Sequence, residues 1–312
     1  KNARGETTWG GLANEVRYWG EWVLQRVKAE IGDLYPLIPD PESKGRRAEA
    51  QSSFWPTAKD SEVPPGFLVP VAYLWTRTVR CKNPSCGATV PLVRQTWLCK
   101  KPGRYVALRM IAPKGAKEVR FEVVEAATEK GLGFDPAGFS KGGNATCPFC
   151  GTVADAEYVQ TIGREKAGGT QLLAVVCTGP NGRVKRYVAA SSILPQVSPG
   201  DEVIKQRIDA LCQATGVSSP TEAINPLRPS PNARGLSAVT WHGVTTFAEL
   251  FTSRQLLAHL TYASTLRCVV DRLPDDERSK AVVATLALVV SRATDWNSVN
   301  CRWFPQGESN LN

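Results

Sequence analysis

The sequence predicts an α+β fold in which an antiparallel β region lies between an N-terminal amphipathic helix and a C-terminal helical region. Three observations support this prediction. Apolar residues recur at helical spacing near the N-terminus and again after Pro199. In the region between these two stretches, apolar residues alternate with polar residues. Two cysteine motifs, Cys81–Cys86 and Cys147–Cys150, lie within the alternating part. The 312 residues suffice for about two domains.

The first element is an amphipathic helix over residues 12–31, flanked by glycines and followed by Pro36. We expect residues 1–35 to form a docking helix. Its aromatic side chains can pack against a partner domain; these are Tyr18, Trp19 and Trp22. Residues 36–65 are rich in proline, serine and charged residues and show no periodicity, which is typical of a linker.

Residues 66–196 are expected to form a β-rich domain. The apolar run Phe67–Trp75 predicts a buried strand that leads into the first cysteine motif, and Leu92–Leu98 is expected to return from it. Alternating residues at 106–110 and 119–123 predict a hairpin around the turn Pro113-Lys114-Gly115.

Three further strands are predicted after the second cysteine motif, at 158–162, 172–178 and 184–189, with Asn181-Gly182 as a turn between the last two. Residues 197–312 are then expected to form a helical domain.

The helical domain is expected to begin with a helix after Pro199, followed by a proline-rich loop over residues 218–235. Thr246–Glu249 is a candidate capping box that opens a helix extending to Leu273. A final helix is predicted over Asp275–Asn297.

The two cysteine motifs predict one metal site. Cys81, Cys86, Cys147 and Cys150 place two thiols on each of two tight turns, and a glycine follows each second cysteine. Four soft ligands at this spacing suit zinc, and four sulfurs leave no position for water, so the zinc would be structural. The predicted fold is therefore a zinc-ribbon-containing antiparallel β region flanked by an N-terminal amphipathic helix and a C-terminal helical region.

Two alternatives for these cysteines remain, namely two disulfides or four unrelated buried thiols. The other five cysteines are irregularly spaced, which is typical of a reducing compartment; they are Cys99, Cys177, Cys212, Cys268 and Cys301. Cys99 is expected to lie in a strand and to bind no metal. The longest apolar run, Ala281–Val290, is too short to span a bilayer. The first residues of the sequence show no signal peptide pattern. We expect a cytoplasmic protein with no membrane partner.

The net charge of +9 is concentrated in the predicted β region. Eleven Lys or Arg residues and one acid lie between Arg77 and Arg120. Such an excess favours a polyanion, most often nucleic acid, although a solvated basic face without a partner is the alternative. The candidate phosphate contacts are Arg77, Arg80, Lys82, Arg94, Lys100, Lys101 and Arg104.

No catalytic residue is predicted. His242 and His259 have no acidic or cysteine neighbour at a useful spacing, and the glycine pairs lack the strand-to-helix context of a phosphate-binding loop. We interpret both histidines as structural.

Four stretches resemble a family of adenine-specific DNA methyltransferases that carry an inserted zinc ribbon. They are GLANEVRYWGEW at 11–22, AYLWTRTV at 72–79, PL at 91–92 and DWNSVNCRW at 295–303. In that family, the segment lies between an upstream loop that resembles S-adenosylmethionine sites and a downstream Asp-Pro-Pro-Tyr motif. Neither motif occurs here, so the resemblance implies that this chain is the middle part of such an enzyme and that S-adenosylmethionine binds only outside it.

The resemblance implies a target-recognition insertion of an adenine-N6 DNA methyltransferase of restriction-modification or phage defence, with DNA and the flanking methyltransferase domain as partners. Two alternatives stay open. The first is an assembly module for the methyltransferase halves or for a defence-complex partner. The second is an independent zinc-ribbon protein that binds nucleic acid.

Overall fold

The computed structural model describes residues 10–43, 63–139, 142–179, 184–193, 200–227 and 235–311. Within these ranges the chain combines α-helices with antiparallel sheets, which confirms the predicted α+β class. The predicted Asn181-Gly182 turn and most of the predicted linker, residues 44–62, lie outside the described residues.

The larger sheet has the strand order β1-β2-β9-β10, and β3 pairs with the far end of β2. Its strands are β1 (Ile38–Pro39), β2 (Phe67–Arg80), β3 (Thr89–Pro91), β9 (Gly169–Thr178) and β10 (Lys185–Ala189). Strand β9 is apolar from Leu172 to Cys177 because it is covered on both faces. The short strand β1 falls within the predicted linker, where Ile38 pairs with Leu68.

A second sheet is the meander β4 (Trp97–Lys101), β5 (Arg104–Ile111) and β6 (Arg120–Ala126). The predicted hairpin is confirmed, with Met110 opposite Phe121. Apolar side chains of this sheet, including Leu108 and Phe121, pack against Ala174 and Val176 of β9 in one shared core. The two sheets therefore lie face to face.

Four helices form a separate core: α1 (Leu12–Ile31), α3 (Asp201–Thr215), α4 (Ser253–Val270) and α5 (Glu277–Thr294). Helix α1 buries Val23, Val27 and Ile31, as its periodicity predicts. Trp19 and Trp22 pack against this core, whereas Tyr18 is 62% exposed. The N-terminal helix thus packs with helices from the C-terminal part of the chain.

Two predicted strands are wrong. Residues 158–162 lie within the helix α2 (Ala156–Arg164), because the carboxylate of Asp155 caps it by accepting the Tyr158 amide at 2.8 Å. Residues 92–98 do not form the return strand, which is β3. The chain leaves the sheet after Leu92, whose amide still donates to the Arg77 carbonyl at 2.8 Å but whose carbonyl accepts the Thr76 hydroxyl at 3.1 Å.

The predicted helix starts are also shifted. Helix α4 begins at Ser253, and its capping box is formed by Thr252 and Gln255 rather than by Thr246. Glu249 caps a shorter turn, where its carboxylate accepts the Thr245 amide at 2.6 Å. The final helix ends at Thr294, before the predicted Asn297.

Two short hairpins complete the fold. Strands β7 (Ala145–Thr146) and β8 (Val153–Ala154) carry the second cysteine motif, and β11 (Arg302–Phe304) pairs with β12 (Ser309–Leu311) near the C-terminus. The C-terminal hairpin returns to the β region, where the Trp303 indole donates a hydrogen bond to the carbonyl of Leu98 at 2.6 Å.

Candidate metal centre

Each cysteine motif forms the connection of a β-hairpin. The first cysteine loop, residues 81–88, joins β2 to β3, and its ends meet where the Cys81 amide donates to the Ala88 carbonyl at 2.8 Å. The second cysteine loop, residues 147–152, joins β7 to β8, and the Cys147 amide donates to the Thr152 carbonyl at 2.9 Å. Each hairpin therefore presents two thiols from one tight turn.

Glycine is required where each loop turns back. Gly87 has φ +59° and Gly151 has φ +76°, which lie in the left-handed region that residues with a Cβ avoid. Both glycines directly follow the second cysteine of their motif, as the sequence predicts. The two turns can then close around a common centre.

The four thiols meet at one point. The sulfurs of Cys81 and Cys150 are 3.5 Å apart, those of Cys86 and Cys147 are 3.8 Å apart, and all four sulfurs lie within 4.8 Å of one another. A tetrahedral ion with metal–sulfur bonds of about 2.3 Å requires sulfurs separated by about 3.8 Å. The four cysteines can therefore hold a metal ion.

The surroundings of the four thiols differ. Cys81 and Cys147 are buried, Cys86 is half-buried and Cys150 is exposed. In the metal-free centre, burial raises the pKa of Cys81 to about 12, whereas hydrogen bonds from Thr152 lower the pKa of Cys150 to about 6. The surroundings of Cys150 therefore favour its thiolate, and a bound dication would supply the charge that ionises the buried thiols.

The loop between β5 and β6 holds the first cysteine loop in place. The Lys117 ammonium donates to the Cys86 carbonyl at 2.5 Å, and the Thr89 amide donates to the Lys117 carbonyl at 2.7 Å. The sequence indicated a turn here but gave no signal for this contact. The predicted hairpin between the motifs is therefore tied to the metal centre at its tip.

Helix α2 is attached to both loops. Asp155, which caps the helix, accepts a hydrogen bond from Lys82 of the first cysteine loop at 2.6 Å. The Tyr158 hydroxyl donates to the Arg80 carbonyl at 3.2 Å, and Val159 lies in the apolar core around the thiols. The N-terminal end of α2 is therefore held against the candidate metal centre.

The other cysteines lie elsewhere. Cys99 and Cys177 are fully buried in the cores on either face of β9, and the Cys99 thiol lies 3.6 Å from the Arg104 carbonyl. In the described part of the chain, the four-thiol group includes no fifth cysteine. Cys99 thus occupies a strand, where the sequence places it.

The seven basic residues proposed as phosphate contacts are spread over several elements. Arg77 and Arg80 lie on β2, Lys82 in the first cysteine loop, Arg94 between β3 and β4, Lys100 and Lys101 on β4, and Arg104 on β5. Lys82 pairs with Asp155 at 2.6 Å, and Lys100 pairs with Glu129 at 3.1 Å. These acids balance part of the local positive charge.

Lys101 and Arg104 point to a buried acid, Glu308, that the sequence did not single out. Glu308 is 6% exposed, pairs with Lys101 and Arg104, and accepts the Tyr187 hydroxyl. Burial opposes ionisation of Glu308, but the bonds from Lys101 and Tyr187 outweigh it and lower the pKa. The C-terminal hairpin is therefore held to the β region by a charge network centred on the buried Glu308.

Three of the seven side chains have no acidic partner in the described ranges. Arg80 donates to the Gly87 carbonyl at 3.1 Å, which supports the first cysteine loop. The side chains of Arg77 and Arg94 are exposed and make no hydrogen bond or ion pair with another described residue.

The histidines have different surroundings. His259 is packed against Phe251, and its Nε2 lies 3.0 Å from the Asn297 carbonyl, as expected of a structural residue. His242 lies at the surface. Partial desolvation of its imidazole, together with the charges of Arg77 and Arg164, lowers its pKa.

No known protein family, curated protein or solved structure matches this chain. Among the described residues, no helix has both the length and the apolar character needed to cross a membrane. The cysteine centre and the charged surface therefore carry the functional argument.

Proposed function

We propose that this chain is a non-catalytic, zinc-stabilised module that engages DNA. The observation that carries the proposal is the four-sulfur centre, in which Cys81, Cys86, Cys147 and Cys150 lie at tetrahedral spacing. Zinc bound by four thiolates has no position left for water or substrate, so its contribution is to folding. The function then belongs to the surface that the centre supports.

The charge of the chain favours DNA as the partner. The net charge is +9, and exposed side chains such as Arg77, Arg94, Lys114 and Arg120 form no ion pair with another described residue. Such cations attract phosphates without reading base sequence. The ion pairs of Lys82, Lys100, Lys101 and Arg104 support internal structural roles for these four residues.

The wider enzyme that we propose is an adenine-N6 DNA methyltransferase. The support is the resemblance at residues 11–22, 72–79, 91–92 and 295–303. In this proposal the catalytic halves flank the chain and hold S-adenosylmethionine, while the chain itself contributes to target recognition. Two pockets of the described residues, one beside the cysteine loops and one between residues 220–251 and 294–300, do not lie at a strand-to-helix turn of the kind that holds such a cofactor.

Binding of a fluorescent DNA duplex over a range of salt concentrations tests the proposal. We expect the affinity to fall steeply with salt, since each phosphate contact adds about 0.9 to the log–log slope. The Cys147→Ser/Cys150→Ser variant should lose zinc and bind DNA more weakly. Absence of DNA binding by the zinc-loaded wild type at low salt would reject DNA engagement, and tight S-adenosylmethionine binding in calorimetry would reject the non-catalytic role.

A second function, docking to the flanking methyltransferase domain, is favoured by exposed apolar side chains on two neighbouring helices. Leu288 and Val289 of α5 are 72% and 62% exposed, and Tyr18 of α1 is 62% exposed. Co-purification of the flanking domain with wild-type chain but not with Leu288→Gln/Val289→Gln would support docking. Equal recovery with both proteins would reject this surface.

A further inference from the structure

Three basic side chains from distant parts of the sequence meet beside α2. Arg164 is the last residue of α2, and His242 ends the 3-10 segment Leu236–His242. The two backbones touch, since a methyl group on Gly163 would lie 2.7 Å from the His242 carbonyl oxygen, and one on Gly243 would lie 3.0 Å from the Cα of Arg164. Arg164 and His242 are therefore neighbours on one surface.

Arg77 of β2 is the third member. It pairs in the sheet with Thr170 of β9, a strand that begins five residues after Arg164. The charges of both Arg77 and Arg164 act on the imidazole of His242. Both guanidinium groups thus lie within electrostatic range of the ring, and we name this set the Arg77–Arg164–His242 cluster.

Neither guanidinium group of the cluster forms an ion pair with a described residue. Arg77 makes no side-chain ion pair there, and the Arg164 guanidinium donates to the Thr161 hydroxyl at 3.0 Å. The nearby acid Glu249 is already bound by Lys166 and by the Thr245 amide. Like charges brought together without a counter-charge repel one another, and a bound anion removes that cost.

We propose that Arg77, Arg164 and His242 form one phosphate-binding site, which in the function proposed above binds the DNA backbone. Guanidinium groups bind phosphate through paired, charge-assisted hydrogen bonds, and an imidazole beside them contributes a further donor once protonated.

Nuclear magnetic resonance of the imidazole groups can test the site directly because the chain contains only two histidines. A saturating oligonucleotide should raise the pKa of His242 by about one unit, as an adjacent anion favours the charged form. His259, whose Nε2 faces the Asn297 carbonyl at 3.0 Å, should be unaffected and serves as the internal control.

A pair of double variants provides the second readout. Arg77→Gln/Arg164→Gln should lower the salt slope of DNA binding by about two units, one for each lost contact. The control Arg26→Gln/Arg302→Gln removes the same charge from exposed positions on α1 and β11 and should leave the slope unchanged. Equal losses in the two variants would overturn the inference.

The outcomes separate the site from the function on which it rests. An unchanged His242 pKa with DNA bound would overturn the site and leave DNA engagement intact. If no oligonucleotide binds but tripolyphosphate raises the His242 pKa, the phosphate site stands and DNA engagement is rejected. If neither probe changes the His242 pKa and no oligonucleotide binds, both proposals fall.

Discussion

Replacing Gly163 by alanine tests the closest backbone contact between α2 and the C-terminal part of the chain. The new methyl group would lie 2.7 Å from the carbonyl oxygen of His242 and 3.1 Å from its Cα. A side-chain carbon does not approach a backbone oxygen so closely, so α2 or the segment Leu236–His242 must move. The substitution therefore sets a packing cost against the helix preference of alanine.

The packing cost should prevail. Alanine is favoured over glycine by roughly 1 kcal/mol inside a helix, and by less in the last turn, where Gly163 lies. Forcing a methyl group into a packed contact costs about 1–3 kcal/mol. We expect Gly163→Ala to lower the free energy of unfolding by about 1–2 kcal/mol.

Gly20→Ala is the matched control because it also lies within a helix. Its methyl group would meet the Leu286 side chain at 3.6 Å, which is ordinary contact, so helix preference alone should stabilise the protein by up to about 1 kcal/mol. Urea unfolding of both variants at equal zinc loading, monitored by circular dichroism, shows whether each substitution raises or lowers the free energy of unfolding. A stabilised Gly163→Ala protein would refute the close contact.

Four further outcomes are expected. Elemental analysis should find one zinc per chain, and Cys99→Ser should retain it, whereas Cys86→Ser should not. Zinc affinity should fall on acidification as protons compete for the thiolates, so full retention at pH 4 would contradict four-thiolate binding. Glu308→Gln should destabilise the protein by about 1–2 kcal/mol at pH 7, because it weakens the charge-assisted hydrogen bonds that buried Glu308 receives from Lys101 and Tyr187. Since the folded pKa of Glu308 is lowered, this contribution is present above the unfolded pKa and is lost as the pH falls through the folded value. A constant stability difference between the two proteins from pH 7 to pH 3 would contradict this prediction. Replacing Arg94, Lys100 and Lys101 together by alanine should lower the salt slope of DNA binding by about one unit rather than three, since two of them are paired with acids, and a decrease of three would show that those pairs open on DNA.

Local sequence signals predicted most of the helices and strands. The spacing that buries Val23, Val27 and Ile31 is a property of α1 alone, and the alternation in β5 and β6 needs only one buried face. The strand prediction at residues 158–162 was wrong because the spacing of apolar Tyr158, Val159 and Ile162 fits either a helix or a strand. The deciding signal was Asp155 three residues before Tyr158, where a carboxylate can cap a helix.

The candidate metal centre could be predicted from the sequence because its geometry is local. The ion pairs of the charged surface could not, because their partners are far apart in the sequence. Both cysteine motifs are short and carry their own turn glycines, so their geometry is local. The partner of Lys82 lies 73 positions away and that of Lys101 lies 207 positions away. A count of charges along the sequence cannot include acids that only folding brings near.

The C-terminal hairpin also determines when the β region can be completed during synthesis. All four cysteines of the candidate metal centre have been made once residue 150 is added, whereas Trp303 follows its partner Leu98 by 205 positions. A nascent chain can therefore close its candidate metal centre while Leu98 and Tyr187 still lack their hydrogen-bond partners Trp303 and Glu308. While the 205 residues that follow Leu98, up to Trp303, are being made, the chain would expose an unfinished strand surface, and this interval is when we expect it to depend most on chaperones.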